Sequence, residues 1–317
     1  MNRAVSLFIV VIFFGCGIQP RQINSKDYEI KAENIHKTLS YLSSDELKGR
    51  KTGSAGIEKA AQFIENNFKK AGLPPFYETY RDSFMVGNQV AYNLIAYKEG
   101  KHPELKNEIV ILGAHYDHIG ILPEVKNDSI ANGANDNASG TTAVLELAKY
   151  FSKKETQRSI LFILFSAEEM GLLGSSHLSR RMKAEKVDLY TMLNFEMIGV
   201  PQENEEFSAY LTGFEISNFS DVFNKATAKN TLGFFEGEKE KQLFGRSDNY
   251  PFYLNFFIPA HTISTFTFSN FPHYHQVGDE IEELNIDFME KLIKEIIPGI
   301  FALTESKEKI IHLRQNK

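Results

Sequence analysis

The sequence predicts an α/β fold, a doubly wound and mostly parallel central sheet with helices on both faces, in a single domain. Three observations carry this. The runs Ile109–Leu112, Ile160–Phe165 and Leu189–Leu193 are short and apolar, the length of buried strands, and each is followed by a helical pattern. Each run stops at a polar island rich in His, Asp or Glu. No repeat, low-complexity tract or Pro/Gly linker divides the chain between about residues 30 and 312. In open α/β sheets ligands bind beyond the carboxyl ends of the strands, so the islands are expected along one edge.

Taken in order, a helix is expected from about Ile30, with Ile35, Leu39 and Leu42 on one face, ending at Ser43-Ser44-Asp45. Ile57, Ala60, Ala61, Ile64, Phe68 and Ala71 mark a second helix, stopped by Gly72 and Pro74-Pro75. Residues 76–98 alternate and carry β-branched and aromatic side chains, so they read as strands feeding the sheet. The island Asn135-Asp136-Asn137 opens a helix marked by Val144, Leu145, Leu147, Ala148 and Phe151. Ile258–Ser264 is one more buried strand and Ile286–Leu303 a C-terminal helix. Residues 201–250 are the least legible and are expected to hold excursions around the site.

With 317 residues, 42% of them hydrophobic, the chain can bury a large core. A net charge of −6 with both signs interspersed argues against a nucleic-acid partner. Cys16 is the single cysteine, so no intramolecular disulfide can form. Arg3, the apolar run Ala4–Phe14 and the small Gly15 have the pattern of a signal peptide over residues 1–15. Phe13-Phe-Gly-Cys16 resembles the lipobox of bacterial lipoproteins. That resemblance implies lipidation at Cys16, a tether over 16–28 and a catalytic domain over 29–317. It implies an exported, envelope-anchored protein whose membrane contact is the lipid alone, with plain secretion as the alternative.

Singly, each island has an ordinary explanation. Glu168-Glu169 would suit the first turn of a helix, Asn-Asp-Asn is N-cap and turn chemistry, and a lone His275 is usually a satisfied imidazole. Together they deliver two imidazoles and several carboxylates to one sheet edge, which is what a cluster of divalent metals needs. Charge arithmetic suits two ions: Asp136, Glu169 and Glu196 offset three of four positive charges, and a bridging hydroxide the fourth. Glu168, beside Glu169, is then the carboxylate left off the metals to move protons.

These islands resemble the bacterial zinc aminopeptidases of the secreted leucyl aminopeptidase type, a co-catalytic metallopeptidase family with glutamate carboxypeptidase relatives. The resemblance covers about residues 38–305. It runs through Leu47-Lys-Gly-Arg-Lys-Thr-Gly-Ser54, Gly113-Ala-His-Tyr-Asp-His118, Gly133-Ala-Asn-Asp-Asn-Ala-Ser-Gly140, Ala167-Glu-Glu-Met-Gly-Leu-Leu-Gly-Ser175, Ser247-Asp-Asn-Tyr-Pro-Phe252 and Tyr274-His275 with Asp279. It implies that His115 and Glu196 bind one zinc, Glu169 and His275 the other, and that Asp136 bridges both. Glu168 matches the general base that activates the bridging water, and Asp117 the carboxylate that orients His115. Tyr274 matches a tyrosine that steadies the substrate carbonyl, and Asp279 is expected to support the ligands from behind. A cis peptide at Asp136-Asn137 is also implied. The chain departs from the family in having Glu196 where Asp is usual, and residues 73–108 are too short for a protease-associated insert. His118, His261 and His273 are expected to be ordinary histidines.

The implied substrate is a peptide with a free N-terminus, and oligomeric state is open. Two other functions compete. One is glutaminyl cyclisation on the same fold, in enzymes that line the pocket with tryptophan, which this chain lacks. The other is a degenerate metal-binding protein without turnover.

Overall fold

The computed structural model describes residues 28–203 and 205–315. The expected signal peptide, Cys16 and the tether up to residue 27 lie outside the described residues. In chain order the elements are α1 (Ala32–Leu42), α2 (Ala55–Ala71), β1 (Arg81–Val86), β2 (Gln89–Lys98), β3 (Ile109–His115), β4 (Gly120–Val125), β5 (Asp128–Ala131), α3 (Gly140–Phe151) and β6 (Ser159–Phe165). There follow α4 (Leu173–Ala184), β7 (Leu189–Glu196), β8 (Ala209–Leu211), α5 (Phe219–Thr227), β9 (Leu232–Gly233), α6 (Glu236–Glu240), α7 (Asn249–Phe256), β10 (Ala260–Ser264) and α8 (Ile286–Glu305).

Eight strands form one sheet in the order β1-β2-β6-β3-β7-β10-β8-β9. Its centre, β6-β3-β7-β10, is parallel throughout. β1, β2 and β8 join antiparallel towards the edges. Every residue of β3 and β6 is buried, as a strand with helices on both faces requires. The alternation of a strand then sorts side chains between two layers. Val110, Leu112, Phe162 and Leu164 pack with α1, α2, α3 and α8 through Leu39, Ile64, Val144 and Ile293. Their chain neighbours Ile109, Ile111, Leu161 and Ile163 point the other way, onto Leu178 and Met182 of α4 and Phe252 of α7. Each such buried side chain contributes about 1.5–3 kcal/mol of hydrophobic free energy.

The helix boundaries follow local chemistry. Ser54 caps α2 by accepting the Ile57 N–H, and Gly72 ends it in the left-handed conformation. Four features differ from the sequence reading. Residues 76–80 are not strand, and β1 begins at Arg81 after an isolated bridge of Pro75 to Ala96. β4 and β5 form a separate hairpin that no expectation included. Glu168-Glu169 does not open a helix, because α4 starts at Leu173 and Ser166–Leu172 is a turn with Ala167 at positive φ. Finally, β3 and β7 run on into their islands and include His115 and Glu196 as last residues. His115 is held in register by Phe165 of β6 and Glu196 by Ser264 of β10, despite their polar side chains. Among the described residues no helix is long and apolar enough to cross a membrane.

Candidate metal centre

Parallel strands end on one side, and five segments converge there: the last residues of β3 and β7, the turn after β6, the loop before α3 and the loop before α8. His115 Nε2 lies 3.4 Å from Asp136 Oδ1 and 3.0 Å from Glu196 Oε1. His275 Nε2 lies 3.2 Å from the other oxygen of Asp136 and 3.0 Å from Glu169 Oε2. Tetrahedral zinc with bonds of about 2.0–2.1 Å to N and O sets neighbouring ligand atoms about 3.3 Å apart. The four separations match the edges of two such tetrahedra sharing Asp136. The first of these sets, His115–Asp136–Glu196, has the spacing of a metal site, and so does a set in which His118 joins Asp136 and Glu169. The donors are imidazole nitrogens and carboxylate oxygens, three from the protein on each side, so zinc fits with a position open for water or substrate.

A second set of contacts holds these donors. Asp279 accepts the backbone N–H groups of Asn135 and Asp136, at 2.7 and 3.0 Å. Asn137 donates to the Phe195 carbonyl and accepts from the N–H groups of Gly140 and Met197, tying the Asp136 loop to the end of β7. The Asp136-Asn137 peptide is cis. Ser247 donates to the second oxygen of Glu196 at 2.8 Å. The expectation that the Asp117 carboxylate orients His115 needs a correction of detail. The nearer contact to His115 Nδ1 is the Asp117 backbone carbonyl at 3.1 Å, with the carboxylate at 3.7 Å. That carboxylate instead accepts from Thr52 Oγ1 and from the Glu168 N–H, so it shapes the turn that carries Glu168 and Glu169.

The electrostatics follow from so many acids in a buried place. For Asp136, burial pushes the carboxyl up, but hydrogen bonds from His115 and His275 leave it below its ordinary range. Burial would lower His275, and Asp136 and Glu169 override it to about 10. His115 behaves alike: burial lowers it, while Glu196, Glu168 and Asp136 hold it well above its usual value. These are the imidazoles that a dication displaces protons from. Glu168 has no hydrogen bond to either imidazole among these contacts. Its burial, reinforced by Glu196 and Asp248 against the pull of His115, raises it well above the ordinary carboxylate range.

The cleft in front of the donors is walled by Met197, Leu243, Phe266 and Phe268, with Tyr210 and Arg246 also lining it. Tyr274 stacks on His275 with ring centroids 4.0 Å apart and also lines the cleft. Leu243, Arg246 and Ser247 come from the stretch that was least legible, where excursions around the site were expected. Three other groups carried no functional assignment from sequence: Arg50 and Asp248, which were not singled out, and His118, which was expected to be ordinary. All sit inside quoted motif segments, which was the available signal. The buried Arg50 guanidinium donates to the carbonyls of Leu42, Tyr116, Asn132 and Gly133. It thereby joins the ends of α1, β3 and β5. Burial lowers it to about 10, so it stays charged at neutral pH and offsets the acids around it. Asp248 is fully buried, and burial raises it to about 7. The expectation that His118 is ordinary is corrected, since its Nδ1 lies 2.8 Å from Glu169 Oε1. His261, bonded to Ser217 and Thr212, and His273, 3.8 Å from Glu283, have other partners.

This sheet, with imidazoles and carboxylates converging at its carboxyl edge, defines an α/β protein with a candidate metal centre. A match to the profile of Peptidase family M28 over residues 93–298 specifies it further, and the chain belongs to that family. It is similar to Aminopeptidase YwaD of Bacillus subtilis, 28% identical over 232 residues that make up 70% of this chain and 47% of that protein. The chain thus spans about half the length of the curated relatives it matches. The fold superposes on BSAP, a zinc aminopeptidase from Bacillus subtilis, with a TM-score of 0.70 at 17% identity, covering 89% of this chain and 98% of that one. A glutaminyl cyclase from Porphyromonas gingivalis gives 0.65 at 18% identity, covering 86% and 99%. At those identities the likeness is one of fold.

Proposed function

We propose that this chain is a zinc aminopeptidase that holds two zinc ions and removes N-terminal residues from peptides. The observation that supports it most is the division of Asp136: one oxygen faces His115 and the other His275, a geometry made for one carboxylate between two cations. His115 and Glu196 would hold one ion, His275 and Glu169 the other. When bound, zinc supplies Lewis acidity towards the peptide carbonyl and makes water a stronger acid.

The remaining work falls to the chain. Glu168 is the unpaired carboxylate at the cleft, and its raised pKa suits a group that accepts a proton from water and returns it to the leaving amine. The acids beside the cleft favour a cationic N-terminal ammonium. Met197, Leu243, Phe266 and Phe268 offer the first side chain an apolar wall, and Tyr274 is placed to steady the carbonyl oxygen. Export with a lipid at Cys16 is part of the same proposal.

Purified protein should contain two zinc equivalents and hydrolyse aminoacyl and dipeptide substrates, with activity lost to a chelator and restored by zinc. Glu196→Ala should lose one equivalent preferentially, because that ion keeps only His115 and Asp136. Zinc stoichiometry and activity that both survive this truncation would defeat the two-ion assignment. Formation of pyroglutamyl product from N-terminal glutamine, without peptide hydrolysis, would favour the cyclase reading instead.

A further inference from the structure

We propose that His118 is a positioning residue for the metal centre: it donates its Nδ1–H to Glu169 Oε1 and so presents Glu169 Oε2 to the ion shared with His275 and Asp136. The inference rests on the two-zinc reading above. Its geometric basis is a division of labour between the two oxygens of Glu169. His118 Nδ1 lies 2.8 Å from Oε1, and His275 Nε2 lies 3.0 Å from Oε2. Each oxygen therefore has its own imidazole, and the two rings meet edge to face with centroids 5.8 Å apart. A carboxylate gripped on one oxygen binds a metal through the other in a single orientation, and such outer contacts set ligand geometry.

His118 is also close enough to Asp136 and Glu169 for the alternative, a ligand in its own right. Two features argue against that. Its Nδ1 is 3.8 Å from Asp136 Oδ2, wider than the 3.0–3.4 Å separations of the other donor pairs. Its Nε2 is buried and has no hydrogen-bond partner. A ligating imidazole almost always donates its other N–H, as the Nδ1 of His115 is placed to do towards the Asp117 carbonyl. With Nδ1 on an ion, His118 would strand a buried N–H. With the proton on Nδ1, the unpartnered nitrogen carries only a lone pair, and every N–H is used.

The ring has little freedom to do anything else. Its backbone N–H donates to the Arg50 carbonyl at 3.3 Å. Gly133, at φ +60, lies against the ring so closely that a Cβ there would sit 2.5 Å from His118 Cδ2. Glycine is required at that point by both the backbone conformation and the approach of the ring.

The test compares wild type with His118→Ala and His118→Asn, whose amide nitrogen takes the place of Nδ1. Zinc stoichiometry, zinc affinity by chelator competition, the Co(II) absorption spectrum and thermal melting are read for each. Both variants should bind two equivalents at saturating zinc. Alanine should weaken one of them by about 10–100-fold, the usual effect of losing such a contact. Asparagine should recover most of that affinity with an unchanged cobalt spectrum. Loss of one equivalent in both variants, with an altered spectrum, would make His118 a ligand and overturn the proposal. Unchanged affinity in a folded alanine variant would reduce the residue to packing and overturn it equally. If alanine unfolds the protein, asparagine alone decides by the same criteria. A wild type with one equivalent would instead refute the two-zinc reading, and the effect of alanine on that remaining ion would still decide the role of His118.

Discussion

Glu168 and Glu169 are chain neighbours with opposite electrostatic fates. Burial and Asp136 push Glu169 up, but hydrogen bonds from His118 and His275 leave it below its ordinary value. Glu168 faces the cleft without an imidazole partner and is raised well above its own. The turn separates them: Ala167 has a positive φ, and the Asp117 carboxylate accepts the Glu168 N–H. In the proposed function, one carboxylate would ligate and the other would exchange protons. Glu168→Gln keeps the shape and removes the proton acceptor. It should leave zinc content unchanged, by atomic absorption, and lower turnover by about two orders of magnitude or more. Near-normal turnover in the fully loaded variant would place the base elsewhere.

At the scale of elements, the loop between β5 and α3 delivers Asp136 and is held at both ends. Asp279 grips its amides, and Arg50 grips the carbonyls of Asn132 and Gly133. The Asn132 amide donates to both Asp45 and Glu280, at 2.7 and 3.0 Å. Two carboxylates sharing one amide repel each other. Burial first, then Asp128 and Asp45, raise Glu280 to about 7 although Asn132 opposes this. A folded pKa above the unfolded one means that Glu280 contributes stability fully below about pH 4.5, and that this is lost as pH rises through about 7. Glu280→Gln should therefore raise the melting temperature at pH 8 and have little effect at pH 4.5. The side chain is partly exposed, so screening limits the gain to about 1 kcal/mol or less. Equal effects at both pH values would rule out the charge as the cause.

Across the whole molecule, the sheet has concentrated acids at one edge. Asp117, Asp248 and Asp279 are each fully buried and raised by burial, to about 6, 7 and 6. They stand beside Asp136, Glu169, Glu196 and Glu168, with Arg50 as the buried cation among them. Bound zinc would offset this charge and stabilise the folded state by mass action. Stripping the protein with a chelator should lower its melting temperature by several degrees at pH 8, and added zinc should restore it in proportion to concentration. A melting temperature indifferent to zinc would mean that no ion is held by the folded centre.

The parallel core was legible because three strands are buried on both faces and so are written as unbroken apolar runs. Their ends were legible because the polar islands, ordinary one by one, together bring imidazoles and carboxylates to one sheet edge. His115, Asp136, Glu168, Glu169, Glu196 and His275 announced themselves through residue type and position, and the family resemblance supplied their implied pairing. Strands over 76–98 were legible, but their antiparallel pairing and the β4-β5 hairpin were not, since half-buried strands depend on which neighbour they find. Nor was the role of Arg50, whose partners are backbone carbonyls from three distant segments and leave no trace in side-chain identity. His118 shows the limit most clearly. Its residue type and its place in a motif are visible along the chain, yet which oxygen of Glu169 it meets depends on the turn after β6, the ring against Gly133 and the neighbouring His275. Composition along a chain records what chemistry is available, whereas a hydrogen bond of 2.8 Å between residues 51 positions apart exists only once packing has set both ends.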